Sequence, residues 1–321
     1  MSKNSETYGV DISKDVFDVY SDLNGHQQYA NSVRGFKDFH KVLCSNDLVV
    51  MEATGYYHYQ LALYLTEQHI DVSVVNPLSV KRFLQMKLSK VKTDKSDARA
   101  ICAYGLSNDL DLYKPDSDTT IECLQLLGLI ETLTKQRTAI KNKRHAEQVL
   151  NRSCKPVRHS LNRLVKGLDN EISLLEKALL ERVNAQYQQQ LTLLRSIPGI
   201  GPKTAVFLLV ITDGFSKFDN ASQLCSYAGI TPVIRESGSS VRGRSRISKI
   251  GNGRLRNLLF LCAFNASKHN KACRQLYERL LGKGKSKKLA LIAVTNKLLR
   301  QCYAIGTSRL PYDEAYVSVL S

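Results

Sequence analysis

Four acidic side chains in the first hundred residues are the candidates for chemistry in this chain. Asp11 ends one short apolar run and Glu52 ends another, whereas Asp94 and Asp97 stand three residues apart at the start of a segment with helical spacing. Carboxylates at the ends of neighbouring strands, with two more on one helical face, can converge on Mg²⁺ or Mn²⁺, because hard cations prefer oxygen ligands on rigid elements. Two such ions about 3.5–4 Å apart are a common device for in-line displacement at a phosphodiester. The pattern therefore predicts a divalent-metal site for phosphodiester chemistry.

The elements that must position these side chains form a predicted α/β domain over the first 105 residues. Strand formers alternate or run together in five segments, and an Asn-Gly pair at residues 24–25 favours a hairpin turn. The strands are predicted at 7–12, 15–22, 27–33, 48–52 and 71–75, and the helices at 35–44, 56–68 and 94–106. The order β-β-β-α-β-α-β-α is the ribonuclease-H-like arrangement. Its acidic residues lie on the first strand, the fourth strand and a late helix.

A basic segment without a clear period, residues 82–93, precedes the last of these helices. It is predicted to be a loop near the site. Lys92 is a candidate contact to a phosphate, and a solvated lysine is an equally good interpretation.

Charge divides the chain into two parts. The 321 residues carry a formal net charge of +17; residues 1–115 hold 13 basic and 14 acidic residues, which leaves 33 basic and 15 acidic residues in 116–321. A basic remainder predicts a polyanionic partner such as nucleic acid, through phosphate contacts and counterion release; a generally basic, soluble surface is the alternative.

Apolar runs are far shorter than the ~18–20 residues that cross a bilayer, and no secretory leader is recognisable. We therefore expect a cytoplasmic protein with no membrane partner.

The eight cysteines form no CxxC pair and no zinc-like spacing with histidines. Their scatter favours reduced, mostly buried thiols in a cytosolic protein.

A long helical region follows the α/β part. Residues 119–195 hold few glycines or prolines, and their leucines and isoleucines recur at spacings of three and four. Pro156 is expected to separate two helices. The pattern predicts an antiparallel helical pair or coiled-coil arm, and it leaves open whether the arm only packs or also supports oligomerisation and touches nucleic acid.

Residues 196–205 resemble a helix-hairpin-helix motif. Gly199 and Gly201 permit a tight turn whose backbone N–H groups can face a phosphate, and the following helix carries Lys203 near its positive N-terminal end. Such a hairpin grips the backbone of a nucleic acid without reading its bases. The alternative is a tight turn between helices that binds nothing.

The segment 229–252 is polar, glycine-rich and bordered by helical patterns. Any of its five serines could attack a phosphodiester if a base or metal eased the loss of its proton and cations held the phosphate. A flexible basic loop is the alternative interpretation. The candidate contacts to nucleic acid here are Arg235, Arg242, Arg244, Arg246 and Lys249.

Further helical patterns cover 254–267, 275–281 and 285–303, and the last ten residues are predicted to be a tail or docking strand.

Seven stretches of the chain, in one order over nearly its whole length, resemble the DEDD transposases of bacterial insertion sequences, a family that includes the Piv-type DNA invertases. Each stretch alone is weak, but together they are specific. They are GVDISK (9–14), MEATGYY (51–57), NP (76–77), KTDKSDA (92–98), SIPGIGPKTA (196–205), YAGITP (227–232) and ESGSSVRGRSRISKIGN (236–252).

This resemblance implies a three-part chain: a RuvC-like catalytic domain over 1–115, a helical coiled-coil arm over 116–195 and a C-terminal transposase domain over 196–321. The family pattern implies that Asp11, Glu52, Asp94 and Asp97 bind metal and that Ser237 is the nucleophile of a covalent 5′-phosphoserine intermediate. It further implies donor and target DNA as substrates, a bridge RNA encoded by the element as guide, a homo-oligomer (dimer or tetramer) and action at the bacterial nucleoid.

Other interpretations need different residues. A RuvC-like nuclease or junction resolvase that uses water needs the acidic tetrad but not Ser237. A non-enzymatic nucleic-acid-binding protein needs neither, and Asp94 would then simply cap a helix. A tyrosine nucleophile is disfavoured, because Tyr56 and Tyr57 fit the packing face of the helix predicted at 56–68.

Overall fold

The computed structural model describes residues 6–53, 55–87, 94–150, 154–233, 236–237, 241–242 and 246–315. At Asp94, Glu236, Ser237, Val241 and Arg242 the description is of the backbone. The chain divides into two compact units, Met1–Asp116 and Ser117–Ser321.

The first unit is built on a mixed five-stranded sheet with the order β3-β2-β1-β4-β5. Strands β1 to β3 are antiparallel neighbours, whereas β4 runs parallel to both β1 and β5. This topology is consistent with a ribonuclease-H-like domain. The strands are β1 (Thr7–Ile12), β2 (Val16–Ser21), β3 (Gly25–Ala30), β4 (Leu48–Glu52) and β5 (Asp71–Val75).

Helices cover both faces of this sheet. On one face, the α1 and α2 side chains Phe36, Phe39 and Leu65 pack against buried strand residues such as Val10 and Met51. On the other face, Val80 of α3 and Ile101 of α4 pack with Leu48, Val50 and Val75. The interior strand β4 is buried on both faces, as its continuous apolar run predicts. The helices are α1 (Val33–His40), α2 (Tyr59–Glu67), α3 (Pro77–Met86) and α4 (Asp94–Ser107).

The loop predicted over residues 82–93 is wrong for its first part, because α3 continues to Met86. The Asn76 side chain accepts a hydrogen bond from the Leu78 amide at 2.8 Å, and Pro77 occupies the first turn. These are the features of a helix start, whereas the sequence prediction used this Asn-Pro pair only as the end of a strand. Lys92 lies outside the described residues.

Two other boundaries differ from the sequence prediction. The third strand ends at Ala30, because the Ser32 side chain caps α1 by accepting a hydrogen bond from the Gly35 amide. Helix α2 begins at Tyr59, so Tyr56 and Tyr57 stand in the preceding turn and both are exposed. The placement of these two tyrosines on a helical packing face was therefore wrong.

The second unit is helical with one shared core. Buried residues from α5 through α11 form a single hydrophobic cluster. Its helices are α5 (Asp118–Val149), α6 (Lys155–Arg195), α7 (Pro202–Thr212), α8 (Ala221–Tyr227), α9 (Gly253–His269), α10 (Lys271–Gly282) and α11 (Lys287–Ser308). Within the described ranges, no helix is long and apolar enough to cross a membrane.

Helices α5 and α6 form the antiparallel pair that the sequence predicts. Arg182 bonds to Glu122 at one end of the pair, and Arg137 bonds to Asp169 at 2.9 Å further along it. Residues later in α5 pair with residues earlier in α6, so the two helices run antiparallel. Pro156 sits in the first turn of α6, where its missing N–H is tolerated.

Four short strands occupy the segment 229–252, which had been considered as a loop. They are β6 (Pro232–Val233), β7 (Glu236–Ser237), β8 (Val241–Arg242) and β9 (Arg246–Ile247). Strand β6 pairs with β9 and β7 pairs with β8, both antiparallel. The two ladders are nested in sequence, and these four paired strands are referred to below as the Ser237 hairpin.

Candidate active site

Asp11 and Glu52 lie side by side at one edge of the first unit's sheet. Strands β1 and β4 are parallel, and Val10 pairs with Met51, so the next residue on each strand is acidic. Both acidic residues are half-buried. Side chains alternate along a strand, which puts Asp11 on the same face as Gly9 and Glu52 on the same face as Val50. Both carboxylates therefore belong to the face that α4 covers.

Helix α4 runs antiparallel to β1, and two glycines allow it to pack closely against the sheet. An added Cβ on Gly9 would lie 2.1 Å from the Cys102 amide nitrogen and 2.2 Å from the Ala98 carbonyl oxygen, so only glycine allows this close approach. Nearer the helix end, Gly105 contacts Val50 and Thr7 at the start of β1.

The first turn of α4 therefore lies toward the end of β1, where Asp11 stands. This turn begins with Asp94 and includes the half-buried Asp97. The backbone thus directs the four acidic positions that the sequence singled out to one edge of the sheet. The described side chains, which exclude that of Asp94, contain no group of three or more His, Cys, Asp or Glu close enough to hold an ion. The metal assignment accordingly rests on backbone placement and on donor chemistry, since carboxylate oxygens suit a hard cation.

A fifth carboxylate, Asp18, stands next to Asp11 and was missed by the sequence analysis. Asp18 of β2 pairs directly with Asp11 across the antiparallel ladder, so their side chains share a face. It is 5% exposed, and its Oδ1 is 2.7 Å from His26 Nε2. The Gln28 amide donates to it at 3.2 Å. The signal available in the sequence was an acidic residue inside the strand-forming run at residues 16–20, but its burial shows only in the structure.

A cysteine nucleophile does not fit this site. Cys102 lies on α4 opposite Gly9, and its Sγ is 3.2 Å from the Thr7 carbonyl oxygen. Burial, with smaller contributions from Asp22 and Glu6, raises the pKa of the Cys102 thiol to about 11. The thiolate that nucleophilic chemistry requires is therefore strongly disfavoured at neutral pH.

Ser237 lies on β7 and pairs with Val241, while Glu236 pairs with Arg242. Among the basic candidates of this segment, Arg246 and Lys249 are exposed. Arg235 and Arg244 lie outside the described residues, and for Arg242 only the backbone position on β8 is known. That Ser237 meets Asp11 in one site stays a prediction.

The base of the Ser237 hairpin is clamped between α8 and α9. The Asn252 amide donates to the Tyr227 carbonyl at 2.7 Å, and the Asn252 side chain caps α9 by accepting from the Leu255 amide at 2.9 Å. Gly251 has a φ of +126°, and a Cβ there would lie 2.2 Å from the Tyr227 carbonyl oxygen. On the other arm, Arg256 donates to the Ala228 carbonyl at 2.9 Å.

The helix-hairpin-helix resemblance corresponds to a tight turn between α6 and α7. Gly199 has a φ of +107° and packs against Ala266 of α9, where a Cβ would lie 2.7 Å from the alanine methyl. Gly201 is the N-cap residue of α7, and a Cβ there would meet nothing within 4 Å. The first glycine therefore serves packing, while the second leaves open space before the helix. Lys203 Nζ lies 2.6 Å from Glu176 Oε1, so a phosphate would compete with this carboxylate.

Comparisons with known proteins match both units. A family profile described as "Transposase IS116/IS110/IS902 family" matches residues 191–278, and a DEDD profile of the IS110 type, described as "Transposase", matches residues 8–154. The pilin gene-inverting protein of Moraxella lacunata is 31% identical over 97% of this chain and 98% of its own length. The protein of the same name from Moraxella bovis is equally similar.

More distant relatives carry transposase names. The transposase for insertion sequence element IS1111A from Coxiella burnetii is 25% identical over 97% of this chain and 92% of that protein. Near full-length similarity at 31% identity, together with two family profiles over residues 8–154 and 191–278, agrees with the resemblance found in the motifs. The chain belongs to the IS110 family of DEDD transposases and is a DNA-recombining enzyme.

Proposed function

We propose that this recombinase holds Mg²⁺ or Mn²⁺ between the carboxylates of Asp11, Glu52, Asp94 and Asp97. The observation that carries the proposal is the register of β1 and β4 beneath α4. The DEDD family generally uses divalent metal ions. Bound cations there would supply neutralisation of the scissile phosphate and of the oxygens that attack and leave. The four carboxylates provide fixed charge on rigid elements, so little reorganisation is needed during reaction.

Ser237 is the proposed nucleophile. Its Oγ attacks the phosphorus and its proton passes to solvent. The P–O3′ bond breaks, and the departing O3′ takes a proton from solvent, which releases a 3′-OH and leaves a 5′-phosphoserine ester. A 3′-OH from another strand then attacks the same phosphorus and releases the serine hydroxyl. The number of phosphoester bonds is conserved, so strand exchange needs no high-energy cofactor. The position of Ser237 on a short paired strand, clamped at its base, supports this role.

Basic residues of the second unit are proposed to hold the phosphates. Arg235, Arg242, Arg244 and Arg246 flank Ser237 in sequence and would neutralise phosphate charge. Lys249, together with Gly199 and Gly201 in the turn before α7, Lys203 in the first turn of α7 and Lys92 in the first unit, would contact the nucleic-acid backbone. The surplus of basic residues in 116–321 supports this division of labour.

The proposal keeps three functional parts: a RuvC-like catalytic domain (1–115), a helical arm (116–195) and a C-terminal transposase domain (196–321). The arm would join copies of the chain into a dimer or tetramer, in which the acidic tetrad and Ser237 meet. Donor and target DNA would be selected by a bridge RNA from the flanks of the gene, in the bacterial cytoplasm at the nucleoid. The resemblance supports the guide RNA, and the net basic charge suits a large polyanion.

The test is recombination of plasmids that carry the gene's native flanking DNA, scored as joined donor–target products. Ser237→Ala should abolish joined product while DNA binding is retained, and Ser239→Ala and Ser240→Ala serve as matched controls in the same segment. Deleting the flanks should abolish the reaction, and their transcript supplied separately should restore it if RNA is the guide.

Two results would redirect the proposal. If Ser237→Ala still recombines DNA, the nucleophile is another residue. If Ser237→Ala cuts DNA without joining it, and Asp11→Asn does not, the chain acts as a metal-dependent nuclease or junction resolvase that uses water.

A further inference from the structure

Two exposed tyrosines border the carboxylate edge of the first unit. Tyr56 is 92% exposed and Tyr57 is 47% exposed. Other aromatic residues of this unit, such as Tyr8, Tyr29 and Tyr64, pack against phenylalanine rings of the core. Among the described residues of the first unit, Tyr56 and Tyr57 are the exposed large aromatic side chains. A ring held this far into solvent leaves its aromatic face accessible to a stacking partner.

The turn that carries these tyrosines is fixed next to the acidic residues. It follows Glu52 in the chain, begins at Gly55 with a φ of +56° and ends where α2 starts. The Tyr59 amide donates to the Tyr56 carbonyl at 3.2 Å. The Asn31 side chain donates to the Ser13 carbonyl at 2.8 Å and to the Tyr57 carbonyl at 3.5 Å. Since Ser13 follows β1, this asparagine links the turn to the end of the strand that carries Asp11.

Charge makes an aromatic contact useful at this edge. Residues 1–115 have one acidic residue more than basic residues, and the edge itself gathers carboxylates, so electrostatics of this unit alone do not attract DNA. Stacking on an aromatic face binds a nucleobase without relying on net charge and tolerates every base. Tyr56 is four positions after Glu52 in the chain, so their Cα atoms are at most ~14 Å apart, the length of about four nucleotides along one strand. The ring can therefore reach a base within a few nucleotides of the phosphate that is cut.

We infer that Tyr56, supported by Tyr57, is a stacking platform for an unpaired base of the DNA strand being cut. The inference rests on the proposed function, because it places the scissile phosphate at the carboxylate edge. Stacking holds the opened strand next to the carboxylates and keeps the unpaired base from rejoining its partner. Tyr56 is a binding residue in this scheme and forms no covalent bond to DNA.

The experiment uses the full-length protein and single-stranded oligothymidylate that contains one 5-iododeoxyuridine, at high salt to suppress phosphate contacts. Photocrosslinking followed by mass spectrometry should map the probe to the peptide that contains Tyr56. Tyr56→Ala should remove this crosslink and weaken binding about tenfold, whereas Tyr56→Phe and Tyr56→Trp keep an aromatic face and should bind within about twofold of the parent. Leu23→Ala is the matched control, because Leu23 is 81% exposed in the turn after β2, at the opposite edge of the same sheet.

Three outcomes would overturn the inference: unchanged binding and crosslinking in Tyr56→Ala, equal loss in Tyr56→Phe, or a crosslink confined to the matching RNA probe. The Asp11→Asn variant separates this result from the proposed function. If Asp11→Asn still cuts DNA, the metal proposal fails while stacking on Tyr56 stands. If Asp11→Asn stops cutting but Tyr56→Ala behaves like the parent, only the stacking platform fails.

Discussion

The carboxylate edge and the Ser237 hairpin are built in different ways. The edge belongs to a sheet buried on both faces, where strand register and the close approach of α4 to Gly9 determine each position. The hairpin consists of two-residue strands, and its location depends on a clamp of glycine turns and hydrogen bonds at its base. The positions of the proposed metal ligands are therefore specified by core packing, whereas the position of the proposed nucleophile is specified by a few backbone contacts. Mutations should affect the two regions differently.

The largest effect should come from Asp11→Asn. Removing one charged ligand from a site that stabilises developing charge should lower the rate of DNA cleavage about 10²–10³-fold, with little change in folding because Asp11 is half-buried at a strand end. Asp38→Asn is the matched control, since Asp38 is a half-buried acid on α1, away from the site, that pairs with Lys41. Rates are compared in single-turnover assays. Equal activity in the two variants would remove Asp11 from the site.

Gly9→Ala should damage the first unit itself. The added methyl meets backbone atoms of α4, so the helix must shift, and the unfolding free energy should fall by about 1–3 kcal/mol or more. Gly128→Ala is the control, because nothing lies within 4 Å of a Cβ at that position of α5. Urea denaturation measures the change. A stable Gly9→Ala variant with full activity would show that α4 does not need its close contact with β1.

Gly251→Ala should act on the hairpin and spare the edge. A φ of +126° is strained for alanine, and the methyl would meet the Tyr227 carbonyl. We expect loss of the covalent protein–DNA product, while the thermal stabilisation of the protein by Mn²⁺ is unchanged. Gly167→Ala in α6 is the control, since a Cβ there meets nothing. Loss of the Mn²⁺ effect in Gly251→Ala would contradict the separate construction of the two regions.

His26→Ala should destabilise the sheet moderately. The buried Asp18 carboxylate would lose its 2.7 Å partner, and an incompletely satisfied buried polar group costs about 1–3 kcal/mol. Adding Asp18→Asn should recover part of this loss because the buried charge is removed. A double-mutant cycle on urea midpoints measures the coupling. Additive effects of the two substitutions would show that the pair is not energetically linked.

The smallest effect is expected at Lys203 in the first turn of α7. Exposed ion pairs such as Lys203–Glu176 are worth about 0–1 kcal/mol, so Glu176→Gln should free Lys203 and strengthen DNA binding by no more than about fivefold. Lys203→Gln should weaken binding and reduce the slope of log affinity against log salt by about one. Measuring the DNA affinity of each variant over a series of salt concentrations tests both expectations. An unchanged slope in Lys203→Gln would remove this lysine from the phosphate contacts.

Sequence reasoning placed Asp11 and Glu52 at the ends of two strands because each follows a recognisable apolar run. The apolar runs before Asp11 and Glu52 give the strands, and the sheet topology then aligns their ends. Asp18 was missed because its burial depends on pairing with β3, which the spacing of residues does not reveal. Tyr56 was assigned to a helix because aromatic spacing resembles a packing face, although Gly55 sets the turn that keeps it outside α2.

The second unit shows a similar limit. Helices α5 and α6 follow from leucine spacing and Pro156, but the paired strands around Ser237 are only two residues long, too short for any periodic pattern. Their positions depend on hydrogen bonds between residues far apart in sequence, such as Asn252 with Tyr227.

The most direct test of the account is to trap the reaction intermediate on native flanking DNA and identify the modified residue by mass spectrometry. We predict a DNA 5′-phosphate esterified to Ser237, formed only with Mg²⁺ or Mn²⁺ and absent from both Ser237→Ala and Asp11→Asn. Cleaved DNA with free 5′-phosphate ends and no attached protein, under conditions where the wild-type chain is fully active, would contradict it.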